Sequence, residues 1–192
     1  QPVLKMIVLS IDIDYAYSPT ISSYDDYVEG SRISIDEQRE ILSEINAPAP
    51  KVNLEKLKLL KSVVKHKTSE STNIIIAEHH HEILKYLPHE TRVIYNFDHH
   101  HDIFYPGWHD LEKLDEGNWV SFLRGTNLEE YNWVRNDDSE DYEADIELGF
   151  KFKELYLDNV DSLPTFDILF CCSSMHWTGE EGRKNLLEVL GG

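Results

Sequence analysis

Two short runs of acidic and imidazole side chains carry the most chemistry in this sequence. Asp98-His99-His100-His101-Asp102 contains Asp-x-His-x-Asp, and Asp12-Ile13-Asp14 contains Asp-x-Asp. In extended backbone, alternate side chains share a face. Asp98, His100 and Asp102 then point one way and His99 and His101 the other. By the same alternation Asp12 and Asp14 share a face while Ile13 turns to the core. Two carboxylates and an imidazole form a partial ligand set for a hard or borderline divalent cation. Paired carboxylates repel and raise each other's pKa, so they either share a proton or are held by cations. Four Asp and two His suffice for two metals, with Asp98 and Asp12 as bridging ligands. Glu78-His79-His80-His81 brings in the further imidazole. His79 leaves an apolar strand directly and is the expected ligand. His80 competes, because a shift of one residue changes the face. Glu78 fits a supporting place beside the ligands.

These residues need elements to position them. Leu4 to Ile13, Asn73 to Ala77, Arg92 to Phe97 and Phe166 to Cys172 read as buried strands, each running into one of the polar groups. Helices are expected from Ser34 to about Ile45, opened by a Ser-x-x-Glu capping box, and from Asn53, with Leu54, Leu57, Leu60 and Val64 on one face. Further helices are expected from about His81 to Leu87, after the loop Glu116 to Phe122, and from Thr178-Gly-Glu-Glu181 to about Leu190. Alternation of strands and helices predicts an α/β fold, three layers with a mostly parallel sheet and helices on both faces. In such sheets ligands gather at the carboxyl ends of the strands. Residues 129 to 147 hold nine acids and one arginine, and the stretch from Asp137 to Asp145 reads as a solvated loop. No internal repeat or second domain is evident, so a single domain over residues 1–192 is expected.

Composition narrows the partners. Thirty-six acids against 18 Lys and Arg give a net charge of −18, which disfavours nucleic acid and suits a cationic substrate or metal ions. The only cysteines, Cys171 and Cys172, are adjacent, so a disulfide framework is excluded. With no membrane-length apolar run and no signal-peptide pattern, a cytoplasmic protein without membrane partners is expected.

The two Asp motifs, with Ile75-Ile76-Ala77-Glu78-His79, resemble the arginase–agmatinase–deacetylase superfamily of binuclear manganese hydrolases. Asp98-x-His100-x-Asp102 resembles its first metal motif, and Ser10-Ile-Asp12-Ile-Asp14 its Ser-Phe-Asp-Val-Asp. The strand to His79 resembles its Gly-Gly-Asp-His, and Gly117-Asn118-Trp119-Val120-Ser121-Phe122 its His-Gly-Asn-Pro-Val-Ser-Phe. The resemblance implies two Mn²⁺ ions, one held by His79, Asp98, Asp102 and Asp12, the other by Asp98, His100, Asp12 and Asp14. The Asp-x-Asp strand comes first here and second in the superfamily, which implies a permuted or rearranged arginase-like fold. Glu116 stands where the superfamily has a histidine.

The pattern is most similar to the small, divergent peptide arginases, which convert arginine side chains of a precursor peptide to ornithine and release urea. Ser174-Met-His-Trp-Thr178 adds to that likeness. It implies Asp102 as proton carrier and Glu116 as the leading partner for the substrate guanidinium, with Glu78, Glu180 and His176 as further site residues. A competing reading is a two-metal phosphoesterase of the DHH type, through Asp12-Ile-Asp14 and Asp98-His99-His100. The net charge suits a phosphate substrate poorly.

Overall fold

The computed structural model describes residues 5–18, 51–105, 111–139, 141–142, 146–157 and 159–191. Its centre is a sheet of six parallel strands. β1 is Met6–Asp12, β4 Asn73–Ala77, β5 Thr91–Phe97, β6 Glu130–Val134, β7 Lys151–Leu155 and β8 Ile168–Cys172. Their spatial order is β4-β8-β1-β5-β6-β7. Two residue pairs, Tyr17–Ser18 (β2) and Lys51–Val52 (β3), form a small antiparallel ladder.

β1 lies inside the sheet, flanked by β8 and β5. Its side chains alternate between two cores. Leu9 and Ile11 join one side with Phe97, Leu169 and Cys171. Val8 joins the other with Ile94, Phe170 and Cys172. The first side is covered by two α-helices, α1 (Leu54–Lys67) and α2 (Met175–Gly191), and by the 3-10 turn Ile13–Ala16. Asn53 caps α1 by accepting from the N–H groups of Glu55 and Lys56 at 3.1 and 3.2 Å, which satisfies two otherwise orphaned donors. Leu57, Leu60, Val63 and Val64 form its buried stripe. Leu54, expected on that stripe, is 61% exposed, because the first turn overhangs the core.

Among the described residues the second side is closed by 3-10 turns, His80–Lys85 and Trp119–Leu123, rather than by α-helices. The expected helices after His81 and after Glu116 are therefore shorter and more tightly wound. The expected helix from Ser34 to Ile45 lies outside the described residues. β6 and β7 flank the expected loop from Asp137 to Asp145, in sequence for which no strand is expected. Tyr131 and Trp133 of β6 enter the second core, while its neighbour on the outer edge is β7.

α2 is broken at Gly179, which adopts φ 62° and ψ −161°. That region is open essentially only to glycine. The helix begins at Met175, before the expected start at Thr178-Gly-Glu-Glu181, and that segment holds the break. Thr178 Oγ1 donates to the carbonyls of Ser173 and Ser174 at 2.8 and 3.1 Å, tying the helix entry to the end of β8.

Candidate metal centre

Register brings the two sequence motifs together. β1 and β5 are parallel with Ile11 opposite Phe97, so the next residues, Asp12 and Asp98, meet at the carboxyl edge. β8 places Cys172 beside both Asp12 and Ala77. The segment after β4 thus crosses the end of β8 to reach the same point.

Two overlapping ligand groups result. Asp12, His80 and Asp98 form one, and Asp14, Asp98 and His100 the other. Within each group the ligand atoms lie within 4.8 Å of one another. Donors on opposite sides of a cation at about 2.0–2.6 Å each are about 4–5 Å apart, so either group spans one ion. Asp98 belongs to both. Asp12, Asp14, Asp98 and Asp102 are at most 4% exposed, and His80 is 2% exposed.

His80, rather than the expected His79, is the imidazole among the carboxylates. Its Nδ1 lies 2.9 Å from Asp102 Oδ2, 3.0 Å from Asp98 Oδ2 and 3.4 Å from Asp12 Oδ2. Despite these distances no carboxylate is aligned to accept a hydrogen bond from it. On the far side of the ring, Nε2 is 2.8 Å from Ser10 Oγ. Burial opposes charge on the ring, yet Asp102, Asp12 and Asp98 raise the His80 pKa well above the ordinary histidine value, so in the metal-free fold a proton balances these carboxylates. A cation in its place, with Nε2 donating to Ser10 and Nδ1 free to bind, satisfies the same groups, so the donor set fits a metal ion. His79 faces outward, where Nδ1 meets Glu116 Oε1 and its ring stacks on His81. Glu116 raises the His79 pKa.

The Asp98–Asp102 run gathers by a different route from the one expected. The strand stops at Phe97, and no β alternation continues through the motif. His100 N–H donates to Asp98 Oδ1 at 2.8 Å, closing a tight turn, and His100 Nδ1 lies 3.1 Å from Asp14 Oδ2. Asp102 takes φ 55°, a left-handed conformation costly for a non-glycine residue. Its carboxylate is thereby turned back to His80. Asp14 is likewise past the strand, on the 3-10 turn after Asp12, with Ile13 buried in the core as expected.

Three neighbouring side chains hold the carboxylates. Trp119 Nε1 donates to Asp102 Oδ2 at 2.7 Å. Asn96 Nδ2 donates to Asp98 Oδ2 at 3.1 Å and to Tyr131 Oη at 2.9 Å. Ser174, at φ 40°, donates through Oγ to Asp12 Oδ2. The i, i+2 step from Ser10 to Asp12 and from Asn96 to Asp98 is the one available signal, since both pairs share a strand face.

Without a cation, the electrostatics are unfavourable. Burial, then the charges of Asp12 and Asp98, push Asp14 up to about 8. Burial and Asp102 push Asp98 up to about 7. Burial opposes the charge on His100, yet Asp14 and Asp98 raise it to about 10. Burial also works against ionised Asp12, but the His80 ring beside it holds it below the ordinary carboxylate range. Buried His99 falls to about 3. Three neighbouring buried carboxylates, two held high and one held low at one strand edge, are the expected signature of a cation cage.

Of the other expected site residues, Glu116 is bound to His79, outside the carboxylate cluster. Glu78 is exposed at the end of β4, where its carbonyl accepts from Cys172 Sγ at 3.4 Å. Glu180 is exposed on α2. His176 lies in the first turn of α2, and its side chain is outside the described residues. No helix among the described residues is long and apolar enough to cross a membrane. Comparison with family models, curated proteins and solved structures finds no match for this chain.

Proposed function

We propose that the chain is a binuclear manganese hydrolase that converts arginine side chains of a precursor peptide to ornithine, with release of urea. The observation that carries this reading is the pair of buried His/Asp groups sharing Asp98 at the carboxyl edge of the sheet. One group has the composition Asp12, His80, Asp98 with Asp102 adjacent, and the other Asp14, Asp98 and His100. Carboxylate and imidazole donors accommodate Mn²⁺, and other divalent ions of that class fit the same set. When bound by these residues, such ions would supply an acidified water, with its pKa lowered toward about 7.

The remaining work falls to the protein. A guanidinium is planar and always charged, so it needs carboxylate partners. Glu116, which His79 contacts, is the proposed partner, with Glu78 and Glu180 as further acids. Water adds at the guanidinium carbon, the bond from that carbon to the chain nitrogen breaks, urea departs, and the ornithine amine gains a proton. Asp102 is the group proposed to carry that proton. The Trp119 indole occupies its Oδ2, so its carboxylate is held in one orientation. His176 is retained as a site candidate from the sequence.

The test is mass spectrometry of an arginine-containing peptide incubated with Mn²⁺-loaded protein, beside Asp98→Ala. The expected result is loss of one CH₂N₂ unit per modified arginine with matching urea, and no change with the variant. Hydrolysis of a simple phosphodiester with no change in any peptide would overturn it in favour of the phosphoesterase.

A further inference from the structure

The two edges of the sheet are built differently. β7 carries Lys151, Lys153 and Glu154, and Lys153 pairs with Glu130 at 2.6 Å. Charged side chains of this kind discourage a further strand from adding. β4, Asn-Ile-Ile-Ile-Ala, has neither charge nor proline. Ile75 and Ala77 pack inward on the second core, whereas Ile74 and Ile76 are 51% and 55% exposed. The N–H of Asn73 points inward to the carbonyl of Asp167 at 3.0 Å. Backbone direction alternates along a strand, so the N–H and C=O groups of Ile74 and Ile76 face away from β8. Among the described residues nothing pairs with them.

An uncharged, β-branched edge with free donors and acceptors is a template for an extended chain. Its surroundings select the occupant. β4 runs straight into Glu78 and His79, with Glu82 and Glu116 beside them. A chain lying along β4 meets apolar surface first and carboxylates at its carboxyl end. The geometry points to β4 as the docking edge for the peptide substrate, which adds as an extra strand beside Ile74 and Ile76. This rests on the peptide-hydrolase reading above. Strands are about 4.8 Å apart, so an added strand lies about 14 Å from β1. The reacting arginine therefore belongs to residues beyond the docked tract. About four or five extended residues, at about 3.3 Å each, span the gap.

Two fluorescent peptides test this on Mn²⁺-loaded protein. One carries a Val-Thr-Val-Thr-Val tract followed by Gly-Ser-Gly-Ser-Arg, and the other only Gly-Ser-Gly-Ser-Arg. Anisotropy gives their affinities, amide hydrogen exchange reads Ile74 and Ile76, and mass spectrometry reads turnover. The tract peptide is expected to bind at least about tenfold tighter and to protect both amides, equally well in Asp98→Ala. Ile76→Pro removes an outward N–H but no internal hydrogen bond. It is expected to abolish the difference between the peptides, with an unchanged melting temperature and unchanged turnover of the short peptide. Ile76→Lys, which keeps the N–H but charges the edge, should act in the same direction. Equal affinities in the parent, absence of binding, or turnover without protection at β4 would overturn the docking edge. So would protection that grows with protein concentration alone, since the edge would then serve a second copy. Protection at β4 without loss of CH₂N₂ would leave the docking edge standing and overturn the hydrolase reading instead.

Discussion

The site depends on which histidine of a triplet turns inward. His80 Nδ1 looks into three carboxylates, while His79 is held outside by Glu116. His80→Ala is expected to reduce bound Mn²⁺ from two per chain to one or none, whereas His79→Ala keeps both; elemental analysis of dialysed protein measures this directly. Sequence reasoning placed both Asp motifs and a histidine from this triplet together, because apolar strands ending in acids mark the carboxyl edge of a parallel sheet. The choice between His79 and His80 was not legible. β4 ends at Ala77, and the 3-10 turn that aims the ring begins at His80, so strand alternation no longer applies there. The indole N–H contact of Trp119 with Asp102 was not legible either, because it depends on how the 3-10 turn packs against the loop after β5. Trp119→Phe deletes that donor while keeping most of the ring. Loss of such a supporting contact costs ~10–100-fold, and the fall is expected in turnover rather than in peptide affinity.

Among the elements, strands rich in Ile, Val and Leu were readable and strands built from aromatics were not. Glu130-Tyr-Asn-Trp-Val134 forms β6 although it opens an acidic stretch; Tyr131 and Trp133 alternate with Asn132, a period-two signal hidden by the surrounding charge. The 3-10 turns were read as helices because three-residue and four-residue spacings overlap over so short a span. α2 was anticipated, but not its break at Gly179. A Cβ there would meet no atom within 4 Å, so the cost of Gly179→Ala is backbone strain alone. It is expected to destabilise the protein by about 1–3 kcal/mol, seen as a lower denaturation midpoint. Gly182→Ala fails for another reason, since its Cβ would come within 1.7 Å of Thr178 Oγ1. Thr178 Cβ is also only 2.4 Å away, so the penalty should fall when combined with Thr178→Gly, which the Gly179 penalty should not.

At the scale of the whole molecule, protons and metal compete for one buried cluster. Asp14, near 8, Asp98, near 7, and His100, near 10, all hold protons in the metal-free fold at pH values where the unfolded chain has released them. Above about pH 6.5 the folded state therefore binds more protons than the unfolded state, and stability falls as pH rises. His99, near 3, acts in the opposite sense, but only below the ordinary histidine pKa. Chelator-treated protein is thus expected to melt at progressively lower temperature from pH 6.5 to 8.5. With Mn²⁺ present the decline should flatten or reverse, because deprotonation frees the ligands. Calorimetry across that range, with and without metal, checks the prediction; a metal increment independent of pH would contradict it.

The strand order has a further consequence, one for biosynthesis. β8 is the last strand in sequence, yet it sits between β1 and β4. Until it has been made, the carboxyl end of β4, which leads to His80, has no sheet connecting it to Asp12. A nascent chain can pair β1 with β5 and extend to β6 and β7, but it must leave a strand-wide gap on the other side of β1. The ribosome therefore releases most of this sequence before the cation cage can close. On the proposed reading, metal capture would in that sense report that β8 has been inserted.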